Sequence, residues 1–504
     1  MNDPATQPDT APSKAPAPLD HAAIRAIMLG IMLAMFLSAL EQTIVAPALP
    51  TIGRTLGNVE DLSWVVTAYL LAATAVTPLF GKLSDIYGRR RMMLLAIVIF
   101  IAGSAACALA PNMPALIAAR ALQGIGGGGI LPLAHTIIGD MVSPRERARY
   151  QSYTSIMFMA ASIVGPVLGG VLTDYVHWTM IFWINLPLGL AALWMTDRAL
   201  KKLPRNDRPH KLDVLGAVLM VCAALALMLA MTWGGKTWGD TRYGWMSAPI
   251  LGLLFGAAAL WLLFAIRVAT APEPFIPLAV LREPLVGAVT AAGFFSVGVI
   301  IGLSIFLPLY FELVLGFSPS GSGTALIVFL AGATIGSFAA GRLMNRTVRY
   351  KRVPIGGLVL GIVMLVAFAA KPAGLALLEV SVLLSIGGAG LGVMYPVTTT
   401  IVQNTVTPQQ LGTATGALNF ARQLGGAIIV AAFGTILLGG IDIGGQGLGG
   451  QGLTLEMLRG GTGLASANLA LVFRWMFAAG AGFLALGLVA VLAIEERPLR
   501  GPTS

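Results

Sequence analysis

Charge is scarce in this sequence. Of 504 residues, only 11% are Asp, Glu, Lys or Arg, where soluble proteins carry roughly 25%. With 57% of residues hydrophobic, no soluble fold of this length could hide the apolar surface, so lipid must be the main solvent. Cysteine is almost absent. Cys107 and Cys222 are the two present, both inside apolar segments and without disulfide or metal spacing, and they read as small packing residues. No nucleotide-binding loop, metal cluster or nucleophile–base set stands out, and this excludes the common enzyme classes. The net charge of +10 would suit nucleic acid only as a continuous basic face. The basic residues fall instead between apolar segments, where they act as topology determinants.

What is abundant is apolar sequence in blocks. Stretches of about 20 residues recur and give roughly fourteen transmembrane helices, an all-α polytopic membrane protein. The first reads as 26–49, the second as 62–82, the fifth as 150–174 and the thirteenth as 416–438. Basic residues cluster in alternate loops: Lys82 with Arg89, Arg90 and Arg91, then 145–149, 198–211 and 342–352. By the positive-inside rule these loops and both termini face the cytoplasm. The first 20 residues, rich in Pro, Ala, Ser and Thr, read as disordered. The first apolar segment is too long for a cleaved signal peptide. The Gly-rich stretch 440–465 reads as a flexible external loop.

Residues 81–91, Gly81-Lys82-Leu83-Ser84-Asp85-Ile86-Tyr87-Gly88-Arg89-Arg90-Arg91, pack an acid, two glycines and four basic side chains between two apolar segments. The spacing predicts a tight cytoplasmic loop. A degraded copy, Gly341-Arg342-Leu343-Met344-Asn345-Arg346, follows the tenth segment. If the seventh and eighth segments are an insertion, the copies hold matching places in two six-helix halves. The expected domains are a tail at 1–23, a first bundle at 24–200, a linker with two extra helices at 201–270, a second bundle at 271–494 and a tail at 495–504.

Inside the apolar segments, Glu41 is the leading functional candidate, because an acid in lipid is expensive. Its other reading is a group facing water near the outer helix end, though ~12 Å of helix separates it from that end. Arg120 enters the fourth segment at a similar depth, ~10 Å in. A cation favours an ionised Glu41 and burial a protonated one, so a carboxylate between these effects can bind and release a proton. A purely structural ion pair is the other reading. The glycines at 124–129 read as close helix packing, not as a phosphate loop. Gly165 and Pro166, with Gly169 and Gly170, interrupt the fifth segment as either an ordinary kink or a hinge or seal. Asp85 and Arg89 are either a solvated pair or part of an inner gate, with Asp85 reaching the N-terminus of the thirteenth helix. Arg422, near the start of that helix, is grouped with this gate. His135 reads as a packing or hydrogen-bonding residue. Glu312, Glu379 and Asp442 read as surface groups, with an external-vestibule acid as the other reading of Glu312.

By its motifs the chain resembles the major facilitator superfamily of transporters. Residues 81–91 are similar to its signature loop, and Arg120 with Gln123-Gly124 resembles its fourth-helix motif, tied there to proton coupling. Gly165-Pro166 with Gly169-Gly170 resembles the motif of its antiporters. The runs 40–50 and 178–187 and Arg422-Gln423-Leu424-Gly425-Gly426 resemble the fourteen-helix drug:proton antiporter branch, the EmrB/QacA type. The chain departs from that pattern at Glu41 (usually Asp), Thr179 (usually Arg), Ala161 (usually Gly) and Asn345 (an acid in the first copy).

The resemblance implies a proton-coupled exporter of amphipathic or lipophilic, often cationic, compounds in the cell membrane. It would work by alternating access, as a monomer, with the proton gradient in place of any cofactor. Glu41 and Arg120 would couple protons. Gly81, Asp85, Gly88, Arg89, Arg90 and Arg422 would gate. Gln42, Tyr69, Gln123, Asn404, Asn419 and Gln423 would contact substrate in an apolar cavity. A periplasmic adaptor protein is a further partner this reading admits; nucleic acid is not. The alternatives are a dedicated exporter of one antibiotic, siderophore or lipid product, and a non-transporting membrane receptor or scaffold.

Overall fold

A computed structural model describes residues 21–56, 62–142, 144–201, 213–234, 236–238, 241–272, 274–276, 280, 282–317, 319–346, 351–444 and 463–493. Residues 1–20 of the expected tail at 1–23, the expected tail at 495–504 and the basic residues at 202–212 and 347–350 lie outside these. Residues 21–23 open the first helix, His21–Ile44.

Among the described residues, fourteen helices are long and apolar enough to cross a membrane: Ile27–Ile44, Trp64–Tyr87, Arg89–Ala108, Met113–Met141, Ile156–Tyr175, Met180–Leu200, Val214–Trp233, Ala248–Thr270, Pro284–Leu313, Ala325–Met344, Arg352–Ala370, Leu377–Thr405, Pro408–Leu437 and Leu469–Leu492. They are spans 1 to 14 in that order. Helix is the only open-ended structure that satisfies its own backbone in lipid. Large apolar side chains on their outer faces stay exposed, among them Phe255 at 73% and Trp475 at 64%. Such surface belongs against lipid. A short hairpin, Lys236–Trp238 paired antiparallel with Thr241–Tyr243, links spans 7 and 8.

Spans 1–6 and 9–14 form two six-helix bundles, with spans 7 and 8 added. Each bundle has its own apolar core, one around Phe100, Ile130 and Leu133 and the other around Tyr310, Phe433 and Phe477. Span 4 packs against spans 2 and 3, and its glycines make that possible. A Cβ at Gly126 would collide with the Phe100 backbone, and one at Gly128 with Ala73. The bundles meet along two seams, span 2 on span 13 and span 5 on span 10.

Three expected features differ. Residues 81–91 are not a loop. The helix Leu62–Tyr87 runs through the acid, the next helix begins at Arg89, and Gly88 alone turns the chain, at φ 89°. This left-handed conformation suits glycine, so one residue replaces a loop. The fifth span is not interrupted, because Pro144–Tyr175 is one helix through Pro166. The expected loop at 440–465 is helical at both ends, within Leu411–Gly444 and Gly463–Leu492, and its middle lies outside the described residues.

Candidate functional site

Span 1 ends at Ile44, and a 3-10 turn, Ala46–Ala48, with a short helix, Leu49–Leu56, caps the bundle beyond it. Glu41 is therefore covered, with no exposed side-chain surface. This removes the reading in which it faces water. Arg120 of span 4, 1% exposed, forms an ion pair with Glu41 Oε1. The guanidinium is held on every side. Its Nε donates to the Val65 carbonyl at 2.8 Å and its Nη1 to Gln123 Oε1 at 2.6 Å. It also lies over the Tyr69 ring, 4.6 Å from the centroid.

Sequence reasoning missed the second partner of the acid. Asn185 Nδ2, on span 6, donates to Glu41 Oε2 at 2.5 Å and to Ser104 Oγ at 2.8 Å. Gln123 Nε2 donates to the same Ser104 hydroxyl at 3.2 Å, and that hydroxyl donates to the Phe182 carbonyl at 3.0 Å. Spans 1, 3, 4 and 6 thus converge on one carboxylate. The one sequence signal was Asn185 inside the 178–187 run. A carboxylate buried in lipid with one cation and one donating amide beside it can hold its charge or be neutralised by one proton.

Above this pair, between the bundles, is a cavity of about 820 Å³ whose lining includes Glu41, Gln42, Tyr69, Arg120 and Gln423. On span 2 its lining residues run from Val66 to Thr74, ~16–28 Å along the helix from Asp85. The cavity therefore belongs to the half of the protein away from Asp85. Thr74 donates to Gln423 Oε1 at 2.9 Å across it. Three expected substrate contacts, Gln123, Asn404 and Asn419, are not among its lining residues. Gln123 serves the buried network, and Asn419 donates to the Thr415 carbonyl at 3.0 Å and accepts from Arg422.

At the Asp85 end the bundles are locked. Asp85 Oδ1 accepts from the Gly412 amide at 3.0 Å, and Oδ2 accepts from the Thr413 amide at 2.7 Å and its hydroxyl at 2.6 Å. This is an anion on a helix N-terminus. Arg89 backs it, pairing with Asp85 at one nitrogen and with Asp140 at 2.8 Å through another. Arg90 pairs instead with Asp197. Gly81 makes the close approach possible, because a Cβ there would collide with the Gly412 carbonyl. The docking residues, Gly412 and Thr413, precede the expected start of the thirteenth segment at 416. Span 13 becomes α-helical at Leu411, so Arg422 lies ~16 Å into it. Arg422 is not part of this contact. It is 2% exposed, donates to the Tyr395 carbonyl, Thr398 and Thr399, and lies 4.0 Å from the Tyr395 ring centroid. Nearby, Arg147 donates to the Gln403 carbonyl, and Gln403 donates to the His135 carbonyl, each at 2.9 Å across the seam. His135 itself meets the Thr154 hydroxyl at 3.2 Å.

The Gly165 face of span 5 packs on the end of span 1. A Cβ at Gly165 would strike the Thr43 hydroxyl, and one at Gly169 the Ile44 carbonyl; Gly170 has open space. Thr43 Oγ1 donates to the Ala161 carbonyl at 2.9 Å. Of the surface acids, Glu379 pairs with Lys371 at 3.2 Å.

Residues 31–430 match the profile of the Major Facilitator Superfamily. An uncharacterized MFS-type transporter of Mycobacterium tuberculosis is 37% identical over 408 residues, which are 81% of this chain and 58% of that protein, less than two thirds of its length. The multidrug transporter protein MdtP of Bacillus subtilis is 33% identical over 80% of this chain and 73% of its own. Among solved structures, the human organic anion transporter MFSD10 superposes with a TM-score of 0.63 at 17% identity, covering 93% of this chain and 99% of that one.

Proposed function

The chain belongs to the major facilitator superfamily, a family of transporters and not of enzymes, and we propose that it is a proton-coupled exporter of amphipathic or lipophilic compounds. The observation that carries this reading is the Glu41–Arg120 pair, fully buried yet lining the cavity between the bundles. A non-transporting receptor or scaffold has no use for a charge kept in lipid at such expense. The Bacillus relative is named a multidrug transporter, which supports small molecules as the cargo.

In this reading the Asp85 end is cytoplasmic, because the basic residues gather there. The conformation is then closed inside, with its cavity toward the outside. A proton enters the cavity and neutralises Glu41, which loosens its hold on Arg120 and Asn185. The balance shifts towards the inward-facing state. There the proton leaves and substrate enters, and the two never need to share the site.

The test is dye efflux in inverted vesicles under an imposed pH gradient. The wild type accumulates an amphipathic dye, and accumulation collapses when the gradient is dissipated. Glu41→Gln expresses normally, still binds dye and loses gradient-driven accumulation. Unchanged accumulation by Glu41→Gln would refute the assignment.

A further inference from the structure

Spans 7 and 8 are the part of the fold that the two-bundle plan does not require. They are held together by an ion pair at their shared end, Arg267 Nε to Asp213 Oδ1 at 3.0 Å. At that end they merge into the core of the second bundle, where Met220, Phe264 and Val268 share a cluster with Val397 and Leu418. Span 7 then packs on both span 2 and span 13, across the seam between bundles. At its far end Trp233 meets Trp64 of span 2 edge to face, at 5.7 Å. There it borders the cavity, and Met228, Met231, Thr232 and Trp245 supply that side of the lining.

We propose that the inserted pair is a wall of the substrate cavity and sets its selectivity, with Met228, Met231 and Trp245 receiving the flat aromatic face of the substrate. The proposal deepens the exporter reading, since it rests on that cavity as the binding site. Methionine is unbranched and polarisable, and its sulfur attracts aromatic rings; tryptophan adds a stacking surface. Glu41, Gln42 and Thr67 also line the cavity and face the polar end of the same ligand. The pair shares a core with the second bundle and packs on span 2 across the seam, so this wall shifts against the first bundle when the halves rock. The selectivity surface therefore moves relative to Glu41 in each cycle.

The experiment is equilibrium binding to the purified full-length protein in nanodiscs, with no gradient present. Two monocations are compared: ethidium, which is planar and aromatic, and dodecyltrimethylammonium, which is aliphatic. In Met228→Ala/Met231→Ala and in Trp245→Ala, ethidium affinity falls by about tenfold while the aliphatic cation changes by less than about twofold. Val218→Ala and Phe255→Ala, on the lipid-facing sides of the same pair, leave both unchanged. The proposal is overturned if the wild type does not bind ethidium, if both probes weaken alike, or if the lipid-facing variants act as strongly as the cavity variants. A protein that shows this selectivity but does not move ethidium under a pH gradient refutes the exporter reading and leaves the wall in place.

Discussion

The side chains around Glu41 divide into one charge partner and one switchable amide. Asn185 donates to both Glu41 and Ser104, and its Oδ1 is buried without a partner. A protonated Glu41 needs an acceptor where the carboxylate needed a donor, and rotation of that amide supplies one. Asn185→Leu removes both possibilities. It is expected to slow gradient-driven transport by about tenfold, the worth of one charge-assisted hydrogen bond, and Asn185→Gln to restore part of it. Transport rates in proteoliposomes across a pH series give the measurement. Arg120→Ala is the harsher change. An unpaired buried carboxylate costs about 3–5 kcal/mol, so Glu41 is then kept neutral by its proton. Substrate exchange should persist while uphill, proton-driven transport is lost; counterflow assays separate the two. The pairing of Glu41 with Arg120 was legible in the sequence, because two opposite charges at matched depth in apolar helices have few other ways to be tolerated. Asn185 and Ser104 were not, because small uncharged polar residues carry no comparable penalty. For the same reason the bonds of Gln123 and Asn419 inside the bundles were not legible: amides in a membrane bundle bond helix to helix as readily as they face a cavity.

At the scale of helices, apolar length identified every span and misjudged several ends. Span 13 begins at Pro408 and not near 416, because its first turns carry Gln and Thr and are too polar for a hydropathy reading. The misplaced start put Arg422 beside Asp85, when it lies well inside the second bundle. At 81–91 the charges suggested a loop, but the helices run through them with Asp85 and Arg89 paired at the seam, leaving Gly88 as the one turn. The Gly165 face of span 5 lies in an unbroken helix packed closely against the end of span 1. Gly165→Ala places a methyl group against Thr43, the residue that ties span 1 to the Ala161 carbonyl. Overpacking of this kind costs about 1–3 kcal/mol. The expected result is a lowered melting temperature together with a passive leak of substrate down its gradient, because the parted helices lie one turn from Glu41. Flux without a pH gradient in proteoliposomes reads the leak. A variant as tight as wild type would mean that spans 1 and 5 do not seal the outer half.

For the whole molecule, the question is what holds the two bundles in the observed arrangement. The cavity lies in one half and the lock in the other. The lock is largely polar: three hydrogen bonds from the start of span 13 to Asp85, and the Arg147–Gln403–His135 relay beside it. Such contacts are strong enough to bias a two-state equilibrium and weak enough to be broken in each cycle. Asp85→Asn keeps the shape but gives up the anion, and its amide must turn one donor towards the donors of Gly412 and Thr413. The loss of roughly 1.5 kcal/mol shifts the population about tenfold towards opening at that end, without unfolding a protein whose bundles have separate cores. Spin labels at Tyr87 and Gln409, both exposed, in a background with Cys222 replaced, report the separation by double electron–electron resonance. The wild type is expected to give a single short distance and Asp85→Asn an added longer one, with turnover slowed because the return to this state becomes limiting. An unchanged distance distribution would show that the close approach of Gly81, Gly412 and Gly416 is sufficient on its own to hold the bundles closed, and that Asp85 serves only to orient the chain in the membrane.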